Sequence, residues 1–300
     1  MELVALFYLI DEFCKEFEPK WRAGLLASGE RQRTKYCRMT LSEILTIIVH
    51  FHQSNHKTFK YYYLNYVCVQ LRSDFPDLVS YSRFIELMGE VTVPMVTLLV
   101  SLLGSPTTAN YIDSTKLVVC HNRRIRRHKV FRGLAARGKS SMGWFYGFKL
   151  HLIVNERGEL LSFFITPGNV PDNNIETVTR LAKRLHGKLF GDRGYISKDL
   201  FAALWGQGTH LITGIRRNMK NRLLPLIDKL MLRGRSIIET INDQLKNQEQ
   251  IEHTRHRSPV NFGVNLFSGL IAYQLQPKKP SLTFTNTEHR LLTEPLLLPA

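Results

Sequence analysis

Phe145-Tyr146-Gly147-Phe148-Lys149-Leu150-His151-Leu152-Ile153-Val154-Asn155, followed across Glu156-Arg157-Gly158 by the apolar run Leu160 to Thr166, is where the fold is decided. Leu150, Leu152 and Val154 alternate with Lys149 and His151, the period of two of a half-buried strand, and the short Gly-containing connection joins antiparallel neighbours. Upstream, Tyr111 to Cys120 reads as another strand, so the three form an antiparallel meander. Downstream, Pro171-Asp172-Asn173-Asn174 opens a helix to about Leu185, Lys188 to Gly191 returns as a strand by a crossover, and Leu200 to Trp205 then Leu211 to Ile215 repeat helix and strand. The order βββαβαβ predicts an α/β fold with a mixed sheet flanked by helices. A helix from Ser236 to about Glu252 and a last one beyond Pro259, carrying Phe262, Leu266, Phe267, Leu270, Ile271 and Tyr273, complete it.

Ahead of the sheet the periodicity is helical. Thr40-Leu41-Ser42-Glu43 is a capping box opening a helix to about His52, with Ile44, Leu45, Ile47, Ile48 and Phe51 on its buried side. Ser80 or Ser82 caps a short helix from Arg83 to Met88 after the turn at Ser73 to Asp77, an arrangement that can form a helix-turn-helix. Gly104-Ser105-Pro106-Thr107-Thr108 is the best linker. The expected division is an all-α DNA-binding domain over 1–104, a catalytic domain over 105–277 and a flexible tail over 278–300.

Three hundred residues correspond to about two domains, and 44% hydrophobic content excludes a disordered tail protein. Lys and Arg number 41 against 25 Asp and Glu, a net charge of +16 that points to a polyanion, nucleic acid ahead of an anionic membrane. The most apolar stretch, Val91 to Leu103, falls short of the roughly 20 residues of a spanning helix. Glu2 stands where a signal peptide carries positive charge, so Met1 to Phe17 reads as an amphipathic first helix. Cys14, Cys37, Cys68 and Cys120 are scattered, which disfavours a disulfide framework or zinc knuckle and fits a reducing cytosol.

Three carboxylates converge in this layout. Asp113 lies in the first strand and Asp192 ends the fourth; if these strands are neighbours, the two side chains stand about one strand spacing, roughly 4.8 Å, apart. Glu239 joins them if the helix from Ser236 packs across that edge. Arg235, four residues before it, and Lys246, seven after, share its stripe, while Ile238, Ile241 and Leu245 bury an adjacent one. Hard oxygen donors favour Mg²⁺ or Mn²⁺ over Zn²⁺, and two such ions can drive in-line attack on phosphorus. Ser114 and Thr115 lack a base and read as strand residues. Singly, Asp113 is as readily a buried hydrogen-bonded strand residue and Glu239 a solvated helix position; the weight lies in their coincidence.

From Ser114 to Asn155 there is no acidic residue, while Lys116, Arg123, Arg124, Arg126, Arg127, Lys129, Arg132, Arg137, Lys139 and Lys149 all fall there. The loop after the first strand is therefore expected to bind polyphosphate. Arg216, Arg217, Lys220 and Arg222 form a second basic set, and His56 to Tyr63 mixes bases with aromatics suited to backbone contact and stacking. Trp144 and Trp205 are expected in the core rather than stacked on a displaced base, Asp172 as a helix cap, and His151 as a structural residue or a phosphate contact.

The order Asp113, Asp192, Glu239 resembles that of the DDE transposases of bacterial insertion sequences. Their Tyr-x2-Arg-x3-Glu-x6-Lys signature is matched at Arg235, Glu239 and Lys246, with Leu232 at the Tyr position. Ile112-Asp113-Ser114-Thr115, the strand from Trp144 to His151, and Gly191-Asp192-Arg193-Gly194-Tyr195 extend the resemblance over about Asn110 to Gln274. It implies a ribonuclease-H-like catalytic domain using two Mg²⁺ ions, or Mn²⁺, held by Asp113, Asp192 and Glu239. It also implies cleavage of the ends of the protein's own mobile element and joining of the 3′-OH ends to target DNA. The partners expected are double-stranded DNA, as terminal inverted repeats and target, and a second copy of the chain; no membrane is involved. The setting expected is the bacterial cytoplasm, at the nucleoid. Arg123, Arg124, Arg126, Arg127, Lys129, Arg132, Lys149, Arg193, Arg235 and Lys246 are the expected DNA contacts. The alternative is a catalytically inactive repressor or transposition inhibitor of the same fold, which Leu232 favours.

Overall fold

Thr40 forms the capping box expected of it: its Oγ1 accepts from the Glu43 N–H at 3.2 Å, and its own N–H donates to Glu43 Oε2 at 2.7 Å. The computed structural model describes residues 1–29, 37–140, 143–219, 224–253 and 255–282. Helix α1 (Leu3–Ala27) packs on α2 (Leu41–Gln53) through Leu6, Ile10, Cys14, Ile44, Leu45 and Ile48. Next, α3 (Phe59–Tyr61), a π-helical turn (Tyr62–Val67) and α4 (Cys68–Gln70) run on without a break. Ser80 caps α5 (Tyr81–Glu90) by accepting from the Arg83 N–H at 3.3 Å, and α6 (Thr92–Ser101) follows. Among the described residues no single helix is long and apolar enough to cross a membrane; Phe84, Leu87, Met95, Leu98 and Leu99, the apolar residues of α5 and α6, are buried among helices.

β1 (Asn110–Cys120), β2 (Ala136–Ser140), β3 (Gly143–Asn155), β4 (Leu160–Pro167), β5 (Gly187–Gly191) and β6 (Thr209–Thr213) form a mixed sheet in the order β2-β3-β1-β5-β6, with β4 also paired to β3. The β1–β3, β2–β3 and β3–β4 pairs are antiparallel; β1–β5 and β5–β6 are parallel. The meander is as expected except that Ala136 to Ser140, read as part of a basic loop, is an edge strand. It lacks apolar alternation because backbone pairing to Gly143–Gly147, rather than side-chain burial, holds it.

Helices α7 (Ile175–Leu181) and α8 (Lys198–Gly206) cover one face, where Val178, Leu181, Leu200 and Leu204 meet Ile112, Ile153, Leu189 and Leu211. Successive β1 residues alternate faces. Tyr111 and Asp113 therefore turn toward α9 (Leu226–Arg233) and α10 (Ser236–Asn247), where the Tyr111 hydroxyl lies 3.8 Å from Met231 Sδ.

Contacts divide the chain into two units. One takes Met1–Leu102, Arg126–Arg132 and Gln244–Pro277; the other takes Leu103–Ile125, Gly133–Asp243 and the segment from Lys278. This division falls between Leu102 and Leu103 and sets residues 244–277 with the N-terminal helices, whereas the expected division kept 105–277 together. Helix α11 (Pro259–Gln274) packs against α2, α5 and α6, with Val264, Leu266, Leu270, Ile271 and Tyr273 fully buried. A helix apolar on nearly every side carries no stripe that names its partner, so its sequence alone does not assign it. Phe131, also fully buried, joins the same unit with its ring 5.3 Å from that of Phe262. The start of the expected loose tail is held to the sheet unit by the Leu282 N–H donating to Glu156 O at 3.0 Å; residues 283–300 lie outside the described residues.

Candidate active site

The parallel pairing of β1 and β5 sets Asn110 beside Leu189 and Tyr111 beside Phe190. Asp113 and Asp192 each follow two residues after the last of these pairs. Asp192 leaves the strand at Gly191 and caps the 3-10 turn Arg193–Tyr195, its Oδ1 accepting from the Gly194 N–H at 2.8 Å. Helix α10 buries Ile237, Ile238 and Ile241 and, one turn beyond Glu239, reaches Asp113: Asn242 Nδ2 donates to Asp113 Oδ2 at 3.0 Å. Asn242 was not anticipated. Its i+3 spacing from Glu239 was the available signal.

Burial raises Asp113 to about 7; the negative charges of Asp192 and Glu239 push the same way, against a backbone hydrogen bond at Ser114 and the Arg235 charge. The three carboxylates therefore share one electrostatic neighbourhood. Glu239 itself is turned to Arg235, whose guanidinium donates to Oε1 at 2.6 Å. Among the described residues no three His, Cys, Asp or Glu side chains stand close enough to share a metal ion. The donor types nevertheless suit a hard divalent cation: all three are carboxylates, and burial with the negative charges of Asp192 and Glu239 holds Asp113 above the usual carboxylate range.

Asp172 corrects an expectation. Asn174, not Asp172, caps α7, its Oδ1 accepting from the Thr177 N–H at 2.9 Å. Asp172 Oδ1 instead accepts from Ser114 Oγ at 2.5 Å and from Lys149 Nζ at 2.8 Å. Lys149, expected to meet phosphate, is thus neutralised within the sheet and only 12% exposed. Ser114 is a strand residue, as expected, but one that carries this bond. The buried Tyr195 hydroxyl, close to Asp113, Asp172 and Asp192, is pushed well up by burial, against an interaction with the Ser114 side chain. His151 is structural: burial lowers it to about 4, and its Nε2 pairs with Thr166 Oγ1 at 2.9 Å.

The other expected DNA contacts divide. Arg123 and Arg124, in a 3-10 turn of the sheet unit, are exposed and, among the described residues, without carboxylate partners, and so are Arg126, Arg127, Lys129 and Arg132 in the helical unit. Arg193 is exposed. Arg235 is committed to Glu239, and Lys246 to Glu252 at 3.0 Å. Arg216 donates to Arg193 O at 3.4 Å and Arg217 is exposed, while Lys220 and Arg222 lie outside the described residues. In the His56–Tyr63 segment, Tyr62 and Tyr63 are fully buried and Tyr61 is exposed, so packing rather than base stacking accounts for most of its rings. Trp144 and Trp205, expected in the core, are 53% and 61% exposed.

Comparison with known proteins follows this geometry. The family model described as "Transposase DDE domain" matches residues 103–259, just over half of the chain. No curated protein sequence matches. Among solved structures, the chain is similar to a piggyBac transposase synaptic complex with hairpin DNA, at 13% identity and a TM-score of 0.48, over 91% of this chain and 74% of that one. A simian T-cell lymphotropic virus intasome bound to PP2A regulatory subunit B56 gamma gives 12% identity and a TM-score of 0.28, over 66% and 59%. On the family match alone, which spans Asp113, Asp192 and Glu239, the chain belongs to the transposase DDE domain family.

Proposed function

We propose that this protein is a metal-dependent DNA transposase of a bacterial insertion element, with a ribonuclease-H-like sheet unit. It cleaves the ends of its own element and joins the 3′-OH ends to target DNA, as a dimer that holds both ends. Asp113, Asp192 and Glu239 are its catalytic carboxylates and would hold two Mg²⁺ ions, or Mn²⁺ in their place. The observation that supports the reading is the bond from α10 to Asp113 through Asn242, beside a β1–β5 register that pairs Tyr111 with Phe190, two residues ahead of Asp113 and Asp192.

Bound divalent ions would supply Lewis acidity to the attacking and leaving oxygens. The chain's own groups orient the donors. Asn242 fixes one Asp113 oxygen, and the Gly194 N–H fixes Asp192 Oδ1. Arg235 balances Glu239, and Asp172 with Lys149 braces β1 against β3 through Ser114. Exposed Arg123, Arg124 and Arg193 offer phosphate contacts in the same unit.

The test is to incubate the purified protein with labelled duplex carrying the DNA that borders its gene, with and without Mg²⁺, and to map cuts and joined products. Mg²⁺-dependent cuts at the element boundary, abolished in Asp192→Ala, are expected. Binding without any cut would replace this reading with a DNA-binding repressor.

A further inference from the structure

The β2–β3 ribbon presents an indole that folding does not use. Phe145 turns inward at 3% exposure, and strand alternation sends its neighbour Trp144 outward, directly across from Lys139. The Arg137 guanidinium carbon lies 4.8 Å from the Trp144 ring centroid and Lys139 Nζ lies 5.9 Å from it. Arg137 and Lys139 are two apart on one edge strand, so both cations and the ring share one face. Asn122 Nδ2 donates to Trp144 O at 2.7 Å and ties the ribbon to the turn that carries Arg123 and Arg124. Among the described residues these four cations are exposed and form no ion pair with a carboxylate. An indole left 53% exposed forgoes much of the stabilisation that burying it would bring, which argues for a use outside folding.

We infer that Trp144, flanked by Arg137 and Lys139, is a stacking platform for an unpaired DNA base, with the cations on the adjoining phosphates. Charge selects a polyanion: residues Ser114 to Asn155 hold no acid. The ring selects its form. In intact duplex every base face is covered by its neighbours, so a flat aromatic surface gains nothing there beyond what the cations gain. An extruded or single-stranded base offers the face that an indole can stack on. The inference rests on the DNA-handling reading above and narrows the substrate to DNA opened at or near the cut.

The test uses the full-length chain in EDTA, so that cutting plays no part. Binding is compared between a short labelled duplex and the same duplex with one unpaired 2-aminopurine at its centre. The parent is expected to prefer the second probe and to quench its fluorescence. Trp144→Ala is expected to bind that probe about tenfold more weakly, without quenching, while binding the plain duplex within about twofold of the parent. Trp144→Phe, which keeps a ring on the same ribbon, is expected to restore quenching. Equal losses on both probes, no loss on either, or a parent without preference overturns the inference. A parent that cuts its element ends in Mg²⁺ yet fails to discriminate sinks the platform and spares the transposase. A parent that discriminates without cutting does the reverse.

Discussion

Glu249 is 3% exposed, accepts from Gln276 Nε2 at 2.7 Å, and is raised by burial to about 7. Its unfolded value is 4.5, so between 4.5 and 7 the folded state holds a proton that the unfolded state has lost. Stability is therefore full below the lower value and falls as pH rises through the upper one, by about 3 kcal/mol. Glu249→Gln should remove this slope: in thermal melts it should match the parent near pH 4.5 and exceed it at pH 8. His52 works oppositely. Its Nδ1–H donates to Glu249 O at 2.5 Å and burial lowers it to about 4, so its contribution is lost as pH falls from 6.5. Nearer the candidate site, Asn242→Ala should slow single-turnover cleavage about tenfold, the value of one hydrogen bond to a charged group, with the melting point little moved. Asp113 and Asp192 were legible because each ends an apolar run on neighbouring strands. The Ser114–Asp172–Lys149 cluster was not, since its members lie 58 and 23 residues apart and nothing in their local patterns declares the contact.

At the scale of elements, glycine decides how closely β3 approaches its neighbour. A Cβ on Gly147 would lie 2.0 Å from Leu117 O, a backbone atom of β1 that cannot yield without breaking the ladder. Gly147→Ala should destabilise the fold by about 3 kcal/mol or more, read from urea midpoints. Strands β1, β3 and β4 were readable because apolar side chains mark their period. Edge strand β2 was not, because Arg137 and Lys139 face water and leave only main-chain pairing to define it. Helix α9 was missed for a different reason: Leu226, Ile227, Leu230 and Met231 recur at helical spacing, but over only eight residues, of which Asp228 and Met231 are buried. Asp228 is held there by Lys188 Nζ at 2.6 Å.

Over the whole molecule, charge should set the ionic-strength dependence of DNA binding. Each phosphate neutralised contributes about −0.9 to the slope of log affinity against log salt. The Arg123→Ala, Arg124→Ala double variant should flatten that slope by about 1.8, whereas Lys149→Ala, its ammonium already spent on Asp172, should leave it nearly unchanged. Filter binding across a salt series separates the two. The net charge of +16 points to a polyanionic partner but does not say which cations remain available, since ion pairs between distant residues are invisible in a linear count. Helix α11, set by its contacts with the N-terminal helices, was illegible because its sequence names no partner.

That helix has a consequence for biosynthesis. All six strands have been made once the ribosome passes Thr213, whereas the hydrophobic faces of α2, α5 and α6 wait for residues 259–274. The unit begun first thus waits for the last helix described. Throughout that interval the nascent chain carries bare apolar helices, a natural client for a holding chaperone. A premature stop there would yield material for proteolytic clearance rather than a smaller DNA-binding protein.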